Sequence, residues 1–181
     1  ATACLVQDKI GAKRAWGFDL SAACCGFVYA LTTGVQLIAS GANERALVIG
    51  ADKMSSILNY KDRTTCVLFG DGAGAVLLEP AEDDEGGFLD FNHRMGGCGG
   101  WSLYMPGGGS LNPATEETVA KSLHLVHQEG RQVFKYAVRR GAETAIELLE
   151  RNGFTASDIS LLVPHQANSR IIDATAERIG L

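Results

Sequence analysis

Apolar and polar positions along this 181-residue chain form two kinds of pattern, one typical of helices and one of buried strands. A helical spacing of apolar side chains runs from Phe27 to Ile38, and Gly41 follows where such a helix would end. By contrast, residues 46–50 are continuously apolar, which is typical of a short strand buried on both faces of a sheet. The two patterns together predict a helix followed by a strand.

The remaining segments continue this alternation along the chain. Further helices are predicted at residues 1–10, 131–152 and 169–179, and further strands at 15–20, 75–78, 88–92 and 159–163. Helices that alternate with short apolar strands predict an α/β protein. An acidic turn is predicted over residues 80–87.

A glycine-rich loop divides the pattern into two parts. Seven of the fifteen residues from 96 to 110 are glycine, and such composition is typical of a connection between compact regions. We therefore predict two halves, residues 1–105 and residues 106–181. Cys24 lies in the first half and His165 in the second, and both are considered below as candidates for chemistry.

Composition narrows the function classes. A formal net charge of −5 argues against binding nucleic acid through a broad basic surface. Five irregularly spaced cysteines without a CxxC pair favour a reducing compartment over a disulfide framework or a structural zinc site. Residues 20–43 carry no charge, but their polar and glycine residues favour a helix buried in protein over a membrane span. Because the chain lacks an initial Met, we expect an internal fragment of a longer protein.

The first candidate for chemistry is the pair Cys24 and Cys25, at the predicted junction between a strand and a helix. Ser21 is a plausible N-cap there, which would put Cys24 in the first helical turn. A helix N-terminus favours the nucleophilic thiolate. The alternative is that both cysteines are small buried hydrophobic residues.

His165 is the second candidate, at the end of the predicted strand 159–163 and directly after Pro164. A histidine at this position can donate a hydrogen bond to an oxyanion or act as a base. Two weaker motifs have structural explanations. A strand rather than a helix follows the glycine run at 70–74, which argues against a nucleotide site, and His124 and His127 are expected on an exposed helix face rather than at a metal.

Four motifs, taken in order along the chain, resemble one family. They are Asp-Leu-Ser-Ala-Ala-Cys-Cys-Gly-Phe at 19–27, Phe-Gly-Asp-Gly-Ala-Gly-Ala at 69–75, Val-Phe-Lys at 133–135 and Val-Pro-His-Gln-Ala-Asn at 163–168. Together they resemble β-ketoacyl-acyl carrier protein synthase III, within the thiolase superfamily. The resemblance implies a thiolase-like, layered α-β-α-β-α fold of two similar halves, here incomplete at both ends, in a cytoplasmic homodimer.

The same resemblance implies the chemistry. Cys24 would take the acyl group from an acyl-CoA starter, often acetyl-CoA, and malonyl-acyl carrier protein would then bind. His165 would stabilise the enolate formed as carbon dioxide leaves, and condensation would give a 3-oxoacyl-acyl carrier protein that initiates fatty acid biosynthesis. No cofactor, metal, nucleic acid or membrane is implied, since coenzyme A and phosphopantetheine belong to the substrates.

Further site residues also follow from the resemblance. Arg63 would lie along the adenine of coenzyme A, and Phe134 would line the acyl pocket. Substrate contacts are implied for Ala167 and Asn168, and carrier-protein contacts for Gln166, Ala167, Asn168, Ser169 and Arg170. Cys25 and Gln128 depart from residues common in the family.

Alternatives from other classes stay open at this stage. The chain could belong to a related Cys-His condensing enzyme of secondary metabolism, to a thiolase, or to a non-catalytic binding domain that retains the fold. The family's third catalytic residue, an asparagine in a Gly-Asn-Thr-Ser motif, does not occur within these 181 residues. We therefore expect the isolated chain to be inactive and poorly stable.

Overall fold

A computed structural model describes residues 1–82 and 86–181 of the chain. Helices in the described part are α1 (Thr2–Lys9), α2 (Gly26–Ala39), α3 (Glu116–Ala120), α4 (Gly130–Arg151) and α5 (Ser169–Ile179). Strands are β1 (Ala46–Lys53), β2 (Asp71–Leu78), β3 (Leu103–Tyr104) and β4 (His127–Gln128), and short 3-10 helices lie at Ala23–Cys25, Met54–Ser56, Gly97–Ser102 and Ala156–Asp158. Mixed helix and strand confirm the predicted α/β class.

Two compact units divide the chain. The first comprises residues 1–51 and 73–88, and the second comprises residues 52–72 and 89–181. These units are interleaved along the sequence because a chain excursion through residues 52–72 belongs to the second unit. The division into halves at residue 105 remains a prediction.

In the first unit, α2 lies close against the sheet formed by β1 and β2. Gly34 makes this approach possible, because a Cβ placed on it would lie 3.0 Å from Leu78 Cδ1 and 3.1 Å from Val48 Cγ2. Val48 is buried, whereas its neighbours Leu47 and Ile49 remain 47% and 39% exposed. The prediction that this strand is buried on both faces is therefore wrong for these side chains.

In the second unit, α4 packs against α5. Val138 and Ala142 on α4 and Ile179 on α5 are buried apolar residues, and burial of such stripes is what stabilises amphipathic helices. β3 and β4 form an antiparallel pair in which Leu103 lies opposite Gln128. This small ladder precedes α4 directly.

Three predicted strands are absent from the described residues. Segments 15–20, 88–92 and 159–163 have no strand pairing, and Leu161 and Val163 are 76% and 78% exposed rather than buried. A strand requires a neighbouring strand to satisfy its backbone groups, and β propensity does not supply one. These predictions are therefore wrong for the structure of this chain.

Smaller predictions had mixed outcomes. His124 and His127 do not share a helix face, because the first lies in a turn and the second in β4. The predicted acidic turn at 80–87 includes residues 83–85, which lie outside the described residues. No helix in the described part of the chain is long and apolar enough to cross a membrane.

Candidate active site

Cys24 lies in a short 3-10 turn that leads directly into α2. The turn spans Ala23–Cys25, and the Cys25 N–H closes it by donating to the Ala22 carbonyl at 3.1 Å. Ala23 has a φ of +46°, a region that residues other than glycine rarely adopt. Backbone strain of this kind is concentrated at functional sites, where the surrounding fold maintains it.

This geometry corrects the predicted start of the helix. Ser21 is not the N-cap, because the turn begins after Ala22 and α2 itself begins at Gly26 with Cys25 as its N-cap. Cys24 thus precedes the helix by two residues instead of lying in its first turn. Cys24 still lies in the helical turn directly before α2.

The start of α2 is held against β1 by a close contact. The Phe27 ring lies over Gly50, where a Cβ would come within 3.2 Å of Phe27 Cδ2. A larger residue at position 50 would require the Phe27 ring to move by a few tenths of an ångström, so glycine permits this close contact. Phe27 and Gly50 therefore help to fix the position of the Cys24 turn.

The segment before Cys24 is anchored to α1. Asp19 accepts hydrogen bonds from the backbone N–H groups of Thr2 at 2.6 Å and Ala3 at 2.7 Å. Bonds from Ala3 and then Thr2 lower the pKa of the Asp19 carboxyl. An ionised carboxylate therefore caps the N-terminus of α1, five residues before the candidate nucleophile.

Both cysteines of the pair are solvent-exposed in this structure. The alternative that they are small buried hydrophobic residues is therefore wrong here. A Cβ added to Gly26 would meet no atom within 4 Å, so open space adjoins the turn.

His165 lies four residues before α5, in a segment without regular secondary structure, and it is exposed. The Ala167 N–H donates to the His165 carbonyl at 2.8 Å, and Gln166 Nε2 donates to the Pro164 carbonyl at 3.3 Å. These two local bonds shape the backbone around the histidine.

Asn168 is the N-cap of α5, a role that sequence analysis missed. Its Oδ1 accepts a hydrogen bond from the Arg170 N–H at 2.9 Å. The signal was available, because asparagine directly before a helical pattern is a preferred N-cap. The cap ties the predicted substrate and carrier-protein residues 166–170 to a fixed helix start.

α5 in turn is positioned by its packing on α4. A Cβ on Gly141 would lie 3.6 Å from Thr175 Cγ2, an ordinary van der Waals distance across the two helices. Phe134, in the second turn of α4, is 36% exposed, so part of its ring is available to a ligand. Arg63 is exposed and lies in a hydrogen-bonded turn between β1 and β2.

The predicted site residues are divided between the two compact units. Cys24 belongs to the first, and Arg63, Phe134, His165 and residues 166–170 belong to the second. Their roles, and the pairing of Cys24 with His165, remain predictions. Among the described residues, no group of three or more His, Cys, Asp or Glu side chains could hold a metal ion.

Comparison with known protein families supplies what the local geometry does not. Residues 18–97 match the model of 3-oxoacyl-[acyl-carrier-protein] synthase III, and residues 149–181 match the model of its C-terminal domain. Together the two matches cover more than half of the chain. The chain belongs to the 3-oxoacyl-[acyl-carrier-protein] synthase III family.

Individual relatives agree with this family assignment. The chain is 59% identical, over its whole length and 55% of the relative, to β-ketoacyl-[acyl-carrier-protein] synthase III of Chlorobium chlorochromatii. The Thermus thermophilus synthase III structure superposes with a TM-score of 0.85 at 39% identity, covering 99% of this chain and 54% of that one. A priming β-ketosynthase from the R1128 polyketide pathway gives 0.86 at 35% identity, covering 98% and 52%.

These similarities confirm the family and the thiolase-like α/β fold class that the motifs implied. The chain spans about half the length of the family members that it matches. The cysteine motif at 19–27 and the glycine motif at 69–75 lie inside the first matched region, and the histidine motif at 163–168 lies inside the second.

Proposed function

We propose that this chain carries the nucleophile and the histidine of a decarboxylative Claisen condensation. The observation that carries the proposal is Cys24, an exposed thiol in a strained turn at the start of α2, in a chain of the synthase III family. The reaction joins an acyl-CoA starter to malonyl-acyl carrier protein and thereby initiates fatty acid biosynthesis.

In the first half-reaction, the Cys24 thiolate attacks the thioester carbonyl of the acyl-CoA. A bond forms between the sulfur and the acyl carbon, the coenzyme A thiolate leaves, and the acyl group stays on the enzyme as a thioester. The positive end of the α2 dipole favours the negative charge on the sulfur before the attack.

In the second half-reaction, malonyl-acyl carrier protein loses carbon dioxide and becomes an enolate. His165 donates a hydrogen bond to the enolate oxygen, which stabilises the charge as it develops. The enolate carbon then attacks the acyl carbon on Cys24, the sulfur leaves as the thiolate, and 3-oxoacyl-acyl carrier protein is released. Loss of carbon dioxide supplies the carbanion, so no cofactor is required by this scheme.

We assign the remaining predicted residues to binding. Arg63 is proposed to lie against the adenine of coenzyme A, and the exposed part of Phe134 to line the acyl pocket. The segment from Gln166 to Arg170 is proposed to face the carrier protein, where the Arg170 guanidinium would attract an acidic surface. A homodimer and a cytoplasmic location stay predictions from the family resemblance.

The two half-reactions can be separated by substitution. In the protein expressed from its complete coding sequence, His165→Ala should retain covalent acylation by acetyl-CoA and lose decarboxylation of malonyl-acyl carrier protein by roughly 10²–10³-fold. His93→Ala, a histidine outside the proposed site, is the matched control and should retain both. Loss of acylation with intact decarboxylation in the His165 variant would contradict the assigned role.

Similarity to the priming β-ketosynthase favours one second candidate, a condensing enzyme that starts a polyketide. The chemistry on Cys24 would be the same, and only the starter and carrier protein would differ. Rates of Cys24 acylation with acyl-CoA starters of increasing length separate the two, because a fatty acid synthase of this proposal should prefer acetyl-CoA.

A further inference from the structure

The turn that carries Arg63 is built around the neighbouring carboxylate of Asp62. Asp62 Oδ1 accepts hydrogen bonds from the Thr64 backbone N–H at 2.9 Å and from Thr64 Oγ1 at 2.6 Å. Asp62 Oδ2 accepts a third from Thr65 Oγ1 at 3.0 Å. Both carboxylate oxygens therefore bind the residues that follow Arg63.

Backbone hydrogen bonds close the same turn from either side. The Asp62 N–H donates to the Asn59 carbonyl at 2.9 Å, and the Asp62 carbonyl accepts from the Thr65 and Cys66 N–H groups at 3.3 and 3.0 Å. Thr65 is almost completely buried, with 2% exposure. The turn is thus anchored on its inner side, while Arg63 is exposed on its outer side.

Hydrogen bonding also keeps the carboxylate charged. The pKa of Asp62 is lowered, first by the Thr64 side chain, then by the Thr64 N–H, with smaller contributions from Thr65 and the charge of His127, while desolvation opposes the shift. An ionised carboxylate accepts stronger hydrogen bonds than a neutral group does. The turn is therefore held at neutral pH by a charged acceptor.

We propose that Asp62 is a positioning residue that fixes the backbone beneath Arg63, so that the guanidinium is presented to the nucleotide end of coenzyme A. The inference rests on the proposed role of Arg63 in binding adenine. An exposed arginine on a loose turn would lose backbone as well as side-chain freedom when the ligand binds. Asp62 removes the backbone part of that cost before binding, which is preorganisation.

The test compares KM for acetyl-CoA with kcat of Cys24 acylation in Asp62→Ala, in the protein expressed from its complete coding sequence. KM should rise about threefold to tenfold, the size of a lost arginine–ring contact, while kcat is unchanged. Asp62→Asn keeps one acceptor oxygen and should recover part of the increase. Acetyl-pantetheine, which lacks the nucleotide, should show the same KM with the variant as with the wild type.

A matched control comes from a second aspartate with the same local chemistry. Asp158 accepts hydrogen bonds from the N–H and Oγ1 of Thr155, both at 2.7 Å, at an exposed turn. Asp158→Ala removes a comparable cap and should leave KM for acetyl-CoA unchanged. If both variants lose stability but only Asp62→Ala raises KM, the loss of stability does not explain the rise in KM.

A double-mutant cycle decides whether Asp62 acts through Arg63. In an Arg63→Ala background, Asp62→Ala should cause no further rise in KM, because the side chain that it positions is gone. Additive effects, or an equal rise with acetyl-pantetheine, would overturn the proposal. If Arg63→Ala itself leaves KM for acetyl-CoA unchanged, the proposed contact of Arg63 with adenine is wrong. If the wild type is never acylated on Cys24, the proposed function is wrong.

Discussion

Replacing Gly34 and Gly141 by alanine tests how closely α2 and α4 pack against their neighbours. Both glycines lie inside helices and have ordinary helical backbone, so alanine should gain about 0.8–1.0 kcal/mol of helix propensity at either position. The two sites differ in the space available for the new methyl group. Any difference in stability therefore reports on packing.

The distances set the expected sign at each position. At Gly34 the added carbon would lie 3.0 Å from Leu78 Cδ1 and 3.1 Å from Val48 Cγ2, so both side chains would have to move by a few tenths of an ångström. Overpacking of this kind costs about 1–3 kcal/mol, which outweighs the propensity gain. At Gly141 the nearest atom is Thr175 Cγ2 at 3.6 Å, so the gain is retained.

We therefore expect Gly34→Ala to lower the free energy of unfolding by up to about 2 kcal/mol and Gly141→Ala to raise it by about 0.5–1 kcal/mol. Native-state hydrogen exchange of the protein expressed from its complete coding sequence, resolved by peptide mass spectrometry, measures both. Amides of α2 report on the first unit, and amides of α4 and α5 report on the second.

Each variant is compared with the wild type, and the change in the opening free energy of the protected amides in its own unit gives the change in stability. If Gly34→Ala raises the free energy of unfolding of the first unit as much as Gly141→Ala raises that of the second, the packing described for α2 is refuted. Destabilisation by Gly141→Ala would likewise refute the spacing between α4 and α5.

Two further predictions concern hydrogen-bonded side chains. Asn168→Ala removes the N-cap of α5 and should lower the free energy of unfolding by about 1 kcal/mol in thermal denaturation, whereas Asn168→Asp should retain most of it. Hydrogen bonds from the Ser55 side chain and N–H lower the pKa of Asp71 in the folded state. That stabilisation should be complete above about pH 4 and should decline as pH falls through the lowered pKa. In Asp71→Asn, the free energy of unfolding should therefore decrease less steeply as the pH is lowered.

Helices were predicted well because their signals are local. The stripe on α4 and the apolar spacing on α2 each lie within one segment, so spacing alone was sufficient. The end of α2 also followed, since Gly41 adopts a positive φ of 75° just beyond the helix.

Strands were predicted less well because a strand depends on a partner that its own sequence does not identify. Residues 159–163 are mostly apolar, with the β-branched Ile159 and Val163 at the two ends, yet no described strand pairs with them. The start of α2 was misplaced for a related reason. Ser21 has the composition of an N-cap, but the strained backbone at Ala23 delays the helix, and strain of that kind is imposed by the surrounding fold.

Sequence motifs identified the candidate residues, whereas the structure identified the side chains that hold them in position. Cys24 and His165 were identified by spacing and resemblance, but the anchors Asp19 and Asp62 act through hydrogen bonds that have no strong sequence signature. A short polar pattern, aspartate followed two residues later by threonine, could have suggested the Asp62 turn. The contact of Phe27 with Gly50 joins residues too far apart in sequence to predict.

Covalent acylation of Cys24 tests the central claim most directly. The protein expressed from its complete coding sequence is incubated with labelled acetyl-CoA, digested and analysed by peptide mass spectrometry, alongside Cys24→Ala and Cys25→Ala. We expect one acetyl group on Cys24 in the wild type and in Cys25→Ala, and none in Cys24→Ala. Label retained by Cys24→Ala, or found on Cys25 in the wild type, would contradict the central claim.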